Sequence, residues 1–413
     1  MSKIDELLKN EKVEWKKLGE VCQISKGKQF NKRDMLDDGT YPVINGGILP
    51  SGYIDLFNRN ENTITVSQGG ASAGYVNFIE EKFWLGAHAF SVVPDNDIIN
   101  EYDYEYSCFN RFLFHILKMN QINLQDSKEG AGIPSVSKDR LSIIEVPLTT
   151  KQVQQKIVKT LDKFTNYVTE LQAELQARTK QYEYYRDMLL SEEYLNKIST
   201  KIDGLECKDY EVKFTTLGEI GEIQMCKRIL KEQTSSQGEV PFYKIGTFGK
   251  EADSFISQGL FREYREKYNY PKNGEILISA SGTIGKTVIF DGEDAYFQDS
   301  NIVWLSHNEK LVLNKYLYYF YQIVKWNPST GGTINRLYNY NLKNIKITLP
   351  PIEIQNKVVE ILDKFQSLLA DTKGLLPQEI EQRQKQYEYY REKLLTFDEN
   401  SAKRERERES ISL

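Results

Sequence analysis

Lys180-Gln-Tyr-Glu-Tyr-Tyr-Arg186 recurs letter for letter as Lys385-Gln-Tyr-Glu-Tyr-Tyr-Arg391. Such an identity within one chain marks an internal repeat. Around it, Leu161-Asp-Lys-Phe164 returns as Leu362-Asp-Lys-Phe365, Leu18-Gly-Glu20 as Leu217-Gly-Glu219, and Lys3-Ile-Asp5 as Lys201-Ile-Asp203. Each half therefore runs from a Leu-Gly-Glu segment through an irregular β-rich region to a Pro-bounded helix start. A long helix follows, ending in the Tyr-rich heptapeptide. A period of roughly 200 residues means a tandem duplication of whole domains and not a solenoid.

In the first half, Ile157, Leu161, Phe164, Val168, Leu171, Leu175, Arg178, Tyr182, Tyr185 and Leu189 alternate at 4,3 spacing, the seam of a coiled coil broken only by Arg178. Thr149 is the candidate N-cap, with Gln152 three residues on. The helix is expected over about 150–192, some ~60 Å long. The second helix is expected from Pro350-Pro351, with Ile354, Val358, Leu362, Phe365 and Leu369 on one stripe. Lys373-Gly374-Leu-Leu-Pro377 predicts a kink or break before it resumes to about Leu395.

Residues 15–147 and 208–348 are rich in Gly, Asn and Tyr with short β-type runs, including Asn62–Val66, Glu275–Ser279 and Lys343–Leu349. The fold class is α+β: two globular domains separated by two long antiparallel coiled-coil helices, in a pseudo-twofold tandem repeat. At 413 residues with 40% hydrophobic content, more than one core is expected. Cysteines 22, 108, 207 and 226 stand far apart, which fits a reducing compartment. MSKIDELLKN has no apolar signal-peptide core and no run of about 18 apolar residues occurs, so a soluble, cytoplasmic chain is expected. The net charge of −5 leaves room for local basic patches.

The helices share one motif, whereas the globular regions have drifted until only landmarks align. One surface is duplicated and the other diversified, as suits a protein that holds two copies of one partner while reading two different targets. This organisation resembles the DNA specificity subunit of type I restriction-modification systems, over essentially residues 1–397. The resemblance implies a first target-recognition domain at 1–149, a central spacer helix at 150–198, a second target-recognition domain at 199–349 and a C-terminal spacer helix at 350–397, before a charged tail at 398–413. It implies no catalytic centre here. Two methyltransferase subunits and restriction subunits would be the partners, and S-adenosylmethionine, ATP and Mg would belong to them. The tetrapeptides Glu170-Leu-Gln-Ala173 and Glu174-Leu-Gln-Ala177 fit the central spacer of the family. Four residues add ~6 Å of helix, comparable with roughly two base pairs. The specificity subunit of another restriction class would share this two-headed design.

For phosphate contact the candidates are Lys26, Lys28, Lys32 and Arg33 in the first half and Lys227, Arg228 and Lys231 in the second, where Lys28/Lys227 and Lys32/Lys231 align without a gap. For base readout they are Gln68, Ser72, Arg262, Arg265, Arg336 and Asn339, because Arg suits guanine and Asn or Gln suits adenine. An ordinary solvated surface is the competing reading of each. Glu183, Tyr184, Arg186, Glu388, Tyr389 and Arg391 are the partner-contact candidates, with Tyr182 and Tyr185 turned to the other helix. The alternative is that all these tyrosines only pack the helices together.

Ala280-Ser-Gly-Thr-Ile-Gly285-Lys286-Thr287 looks like a P-loop with its first Gly replaced, which would imply an NTPase or nuclease. A P-loop leads into a helix, whereas Thr287-Val-Ile-Phe290 reads as a strand. The matching Gln68-Gly-Gly-Ala-Ser-Ala-Gly74 has no Lys, and a hairpin turn accounts for both. Lys286 then remains a candidate phosphate contact. His88, His115 and His307 lack metal-ligand spacing, and Asn327-Pro328-Ser-Thr lacks the aromatic of base-flipping methyltransferases, so metal chemistry and methyl transfer are not expected.

Overall fold

The computed structural model describes residues 11–36, 38–126, 135–199, 212–329 and 335–397; the Lys-Ile-Asp repeats and the charged tail at 398–413 lie outside them. The first head is built from β1 (Glu14–Lys17), β2 (Cys22–Lys26), β3 (Tyr41–Ile44), β4 (Tyr53–Ile54), β5 (Thr63–Ser67), β6 (Val76–Ile79), β7 (Trp84–Leu85), β8 (Ala89–Pro94) and β9 (Glu145–Leu148). Its main sheet has the order β2-β8-β5-β6, a smaller one the order β4-β3-β7, and β1 pairs with β9. The second head contains β10 (Lys213–Thr216), β11 (Gly221–Gln224), β12 (Val240–Tyr243), β13 (Phe255–Ile256), β14 (Ile276–Ser279), β15 (Thr287–Ile289), β16 (Tyr296–Phe297), β17 (Ile302–His307) and β18 (Lys346–Leu349). Its orders are β11-β17-β14-β15, β13-β12-β16 and β10-β18. Even the one parallel pairing recurs, β3 with β7 and β12 with β16. The diverged heads thus share one topology.

The helices are α1 (Leu18–Val21), α2 (Asn96–Glu101), α3 (Tyr106–Met119), α4 (Gln121–Asp126), α5 (Lys138–Ser142), α6 (Lys151–Leu189), α7 (Glu192–Ser199), α8 (Leu217–Ile220), α9 (Gln258–Lys267), α10 (Asn314–Tyr321), α11 (Asn339–Lys343) and α12 (Ile352–Leu395). The Leu-Gly-Glu repeat forms α1 and α8, and each of its letters has a task. Leu18 and Leu217 are fully buried. A Cβ on Gly19 would stand 3.0 Å from Ser142, and one on Gly218 would stand 2.9 Å from Lys343, so only glycine fits without displacing a neighbour. Glu20 and Glu219 accept the backbone N–H of Lys17 and Thr216, at 2.7 and 3.0 Å, which caps these one-turn helices.

The chain divides into two compact units, residues 1–173 with 376–413, and residues 174–375. Each unit therefore holds one head, the start of that head's own long helix and the end of the other long helix. The first boundary falls between the two Glu-Leu-Gln-Ala copies. In the first unit Phe164 stacks on Tyr390 at 5.2 Å and Arg383 lies over the Tyr167 ring at 5.2 Å, so α6 and the end of α12 run antiparallel. In the second unit Tyr185 stacks on Phe365, again at 5.2 Å. The Tyr of each heptapeptide thus meets the Phe of the opposite Leu-Asp-Lys-Phe copy. That reciprocal pairing gives a physical reason for both motifs to be duplicated together.

The Asp of Leu-Asp-Lys-Phe ties head to helix. Asp162 accepts from Arg111 Nε at 2.8 Å and lies 2.9 Å from His115 Nε2, while His115 Nδ1 is 3.0 Å from the Tyr387 hydroxyl. Asp363 accepts from Lys315 Nζ at 2.5 Å and from the Tyr319 hydroxyl at 2.7 Å. Both clamps use two residues four apart on one head helix, α3 or α10, which is the spacing of one helical face. Burial pushes the His115 pKa down against the opposing pull of Asp162. Burial works to raise the Asp162 pKa, but hydrogen bonds from His115 and Arg111, with the Arg111 charge, hold it below the ordinary carboxylate value.

Several local expectations are corrected. Thr149 is not the N-cap: α6 opens one residue later, and Thr150 C=O accepts the first helical N–H, from Gln154 at 3.0 Å. Thr149 C=O is taken by the Tyr104 hydroxyl and by Gln154 Nε2. Gln355 repeats the latter device on Pro350 C=O at 2.8 Å. Pro350 and Pro351 precede α12 instead of filling its first turn. The expected break is absent: the helix passes through Pro377 as one element, with Ile354 to Leu362 anchored in one core and Tyr387 to Leu395 in the other. Lys343 ends α11 before a strand confined to Lys346–Leu349. Among the described residues no helix is long and apolar enough to cross a membrane, and no His/Cys/Asp/Glu group could hold a metal ion.

Candidate nucleic-acid interface

The shared topology brings the same loops together in each head. In the first, Gln68 follows β5; its N–H donates to His88 C=O at 2.8 Å and its C=O accepts from Val136 N–H at 2.8 Å. Gly69 bridges to Ser135, and Asn45 Oδ1 accepts from His88 N–H at 3.2 Å. In the second head Ala280 takes the place of Gln68, donating to Asn301 C=O at 2.7 Å and accepting from Leu337 N–H at 2.8 Å, while Ser281 bridges to Arg336. One backbone frame thus carries Gln68 where the other carries Ala280, His88 where it carries Asn301, and Ser135 where it carries Arg336. The frame is built from backbone donors and acceptors, and the side chains exchanged on it differ between the heads.

The basic candidates flank this frame. Lys26 ends β2 and Lys28 follows, with Lys32 and Arg33 in a 3-10 turn at Lys32–Asp34; all four are exposed. Lys227 and Arg228 follow β11, and Lys231 opens the matching turn at Lys231–Gln233, again exposed. An open groove of about 510 Å³ beside the first turn is lined by Gln29, Phe30, Asn31, Lys32, Met35, Asn45 and Ser51. In the second head Arg228 pairs with Asp299 at 2.9 Å, and the next residue, Ser300, offers its C=O to Arg336 Nη2 at 2.5 Å. Lys227 Nζ lies 5.2 Å from the centre of the Tyr268 ring, just beyond the C-terminus of α9. Arg262 is exposed on α9 and Asn339 begins α11, also exposed. Ser72 is half-buried in the β5–β6 turn.

Lys286, Arg265, Arg186 and Arg391 are not the free groups the sequence suggested, and Arg228 and Arg336 are likewise engaged, by Asp299 and by Ser300 C=O. Lys286 Nζ donates to Phe248 C=O at 2.5 Å, and the chain runs on into β15, so this is a hairpin and its amine is already engaged. Arg265 is paired with Asp294 at 3.0 Å and lies over the Phe261 and Tyr270 rings. Arg186 and Arg391 are half-buried over Tyr182 and Tyr387, the tyrosines that point into the packed units, so neither faces outward. Glu183, Tyr184, Glu388 and Tyr389 do remain exposed, Tyr184 at 65% and Tyr389 at 59%. Sequence reading missed Asn45, His88 and Asn301, which only the cross-loop hydrogen bonds reveal. It also missed the stacked, exposed Tyr338 and Tyr340 beside Arg336, although their Tyr-rich context was a signal.

The model of the type I restriction modification DNA specificity domain matches twice, at residues 10–181 and 209–382. A putative type I restriction enzyme specificity subunit of Haemophilus influenzae is 44% identical over 408 residues, covering 95% of this chain and 98% of the relative. The EcoR124I/EcoR124II specificity subunit of Escherichia coli is 28% identical, covering 96% and 97%. In fold, the chain is similar to a type I restriction-modification S subunit from M. genitalium, with a TM-score of 0.53 at 21% identity, covering 94% of this chain and 97% of that one. With two tandem specificity domains on one pair of duplicated helices, the chain belongs to the type I restriction-modification DNA specificity family, as a specificity subunit and not a catalytic one.

Proposed function

We propose that the chain reads a bipartite, asymmetric DNA sequence in the cytoplasm, with the first head on one half-site and the second head on the other. Half-sites about one helical turn apart, ~34 Å, would present both to the same face of the duplex. Lys26, Lys28, Lys32 and Arg33, and in the second head Lys227, Arg228 and Lys231, position phosphates and carry the salt dependence. Gln68 with Ser72 and Arg336 with Asn339 face base edges. Glu183, Tyr184, Glu388 and Tyr389 dock two methyltransferase subunits, one on each copy of the heptapeptide. S-adenosylmethionine, ATP and Mg are held by the methyltransferase and restriction partners.

The observation that carries this reading is the identical backbone frame bearing Gln68, His88 and Ser135 in one head and Ala280, Asn301 and Arg336 in the other. A common scaffold with exchanged side chains suits two different sequences better than one repeated reaction. Footprinting of the chain in complex with its methyltransferase tests it. Two protected segments separated by a gap of indifferent sequence are expected; one continuous site, or protection independent of sequence, would contradict it.

A further inference from the structure

Strand for strand the heads correspond, but α9 does not. In the first head the link from β4 to β5, residues 55–62, is non-helical, whereas the second head places the ten-residue α9 between β13 and β14. We infer that α9 is a recognition helix particular to the second head, entering the major groove so that Arg262 reads a guanine and Glu266 accepts from the exocyclic amino group of a cytosine. The inference rests on the DNA-reading role proposed above and assigns its chemistry to two side chains.

The helix is amphipathic, and its inner face is fully used. Phe261 is buried, Leu260 and Tyr264 pack on the same core, and Ser257 caps the N-terminus by accepting from Leu260 N–H at 3.3 Å. Gly259, Arg262, Glu263 and Glu266 fall at i, i+3, i+4 and i+7 on the opposite face, and all are exposed. Within the helix Lys267 pairs with Glu263 at 2.9 Å and Arg265 with Asp294, while Arg262 has no ion pair or hydrogen bond among the described residues. A Cβ on Gly259 would meet open space, so the missing side chain is not demanded by packing within the head. It leaves backbone free for a close approach from outside.

Placement and charge then select the occupant. Lys227 lies over Tyr268, and Gln233 Nε2 donates to the Tyr264 hydroxyl at 3.4 Å, so the end of α9 borders the segment with the phosphate candidates Lys227 and Lys231. A surface that only followed phosphates would not expose Glu263 and Glu266 beside Arg262. Base edges in the major groove present donors as well as acceptors, and that mixture matches a mixed face. The helix is ~15 Å long and, with side chains, ~10–12 Å across, against a groove ~12 Å wide. Arg262 can give two N–H groups to guanine O6 and N7; the Glu266 carboxylate accepts from cytosine N4.

The test uses the complex with its methyltransferase. Motifs methylated in a random-sequence library are mapped for the wild type, Arg262→Ala, Arg262→Lys, Glu266→Gln and, for comparison, Lys231→Ala. Arg262→Ala is expected to relax one guanine of one half-site, lowering discrimination there roughly tenfold or more, with the other half-site unchanged. Arg262→Lys should relax the same position while keeping the salt dependence. Lys231→Ala should weaken all sequences alike and reduce the salt slope. A motif unchanged by Arg262→Ala, or a loss uniform across sequences, overturns the inference. A wild-type complex that methylates without any split motif would instead defeat the two-head reading itself.

Discussion

Replacing Asp162 by Ala should loosen the first head far more than replacing Asp363 loosens the second, although the two occupy matching positions. Asp162 faces His115, whose side chain is inaccessible to solvent, and Arg111, whose side chain is 16% exposed. Removing the carboxylate leaves a guanidinium and an imidazole without their acceptor. Breaking a buried pair costs ~3–5 kcal/mol, which the partial exposure of Asp162 and the stacking of Arg111 on Phe78 and Phe114 reduce to about 2–3 kcal/mol. At the other clamp the side chains are more exposed, 56% for Lys315 and 38% for Asp363, and the Tyr319 hydroxyl keeps Gln366 as acceptor at 2.7 Å, so Asp363→Ala should cost about 1 kcal/mol or less. Native-state hydrogen exchange reads both directly. Asp162→Ala should speed exchange of the α3 amides roughly 30- to 150-fold and Asp363→Ala that of α10 by ~5-fold at most. Equal effects in the two heads, or an undisturbed α3, would refute the assignment of Asp162 as the tie between head and helix.

Other outcomes follow from the same geometry. Because burial depresses the His115 pKa, the unfolded chain takes up that proton first: stability present above ~6.5 is lost as pH falls toward the folded value, by at most ~1.4 kcal/mol per pH unit. Unfolding of the first unit should show this loss between pH 7 and 5, and His115→Gln should flatten it; a slope unchanged by His115→Gln would count against it. The paired changes Tyr184→Ala and Tyr389→Ala remove exposed rings, so they should reduce methyltransferase co-purification with less than ~0.5 kcal/mol change in stability, read by pull-down and denaturation. Unaltered capture would remove these tyrosines from the interface. The isolated chain should show no ATP hydrolysis that Lys286→Ala abolishes, since that amine is bound to Phe248 C=O and no helix follows; such activity in a phosphate-release assay would revive the NTPase reading.

What could be read from sequence depended on how locally each feature is encoded. The Tyr-rich heptapeptide and Leu-Asp-Lys-Phe are contiguous words, so the duplication and both long helices were legible; so was the inward turn of Tyr182, which is buried. The pairing of Tyr185 with Phe365 and of Tyr390 with Phe164 joins residues about 180 and 225 positions apart, and no periodicity encodes it. That the heads repeat one another was legible, but their strand order and pairing were not, because the strands are two to six residues long and most of their sequences have diverged. Gln68 was found by side-chain type alone, whereas His88 and Asn301 emerged only through the hydrogen bonds that align them. Arg186 and Arg391 were misjudged because periodicity assigns a residue to a helix face but not a long side chain to its neighbour, and both fold back over a tyrosine one turn away.

On the function proposed here, the heads supply sequence and the helices supply distance. Deleting Glu174–Ala177 removes ~6 Å of helix and turns the remainder by only ~40° beyond one full turn, so the seam stays close to phase. The most direct measurement is the methylated motif of the complex with and without those four residues. The same bases in both half-sites, with the gap between them shortened by about one base pair or more, are predicted; altered bases at an unchanged gap would show that the helices do not set the distance.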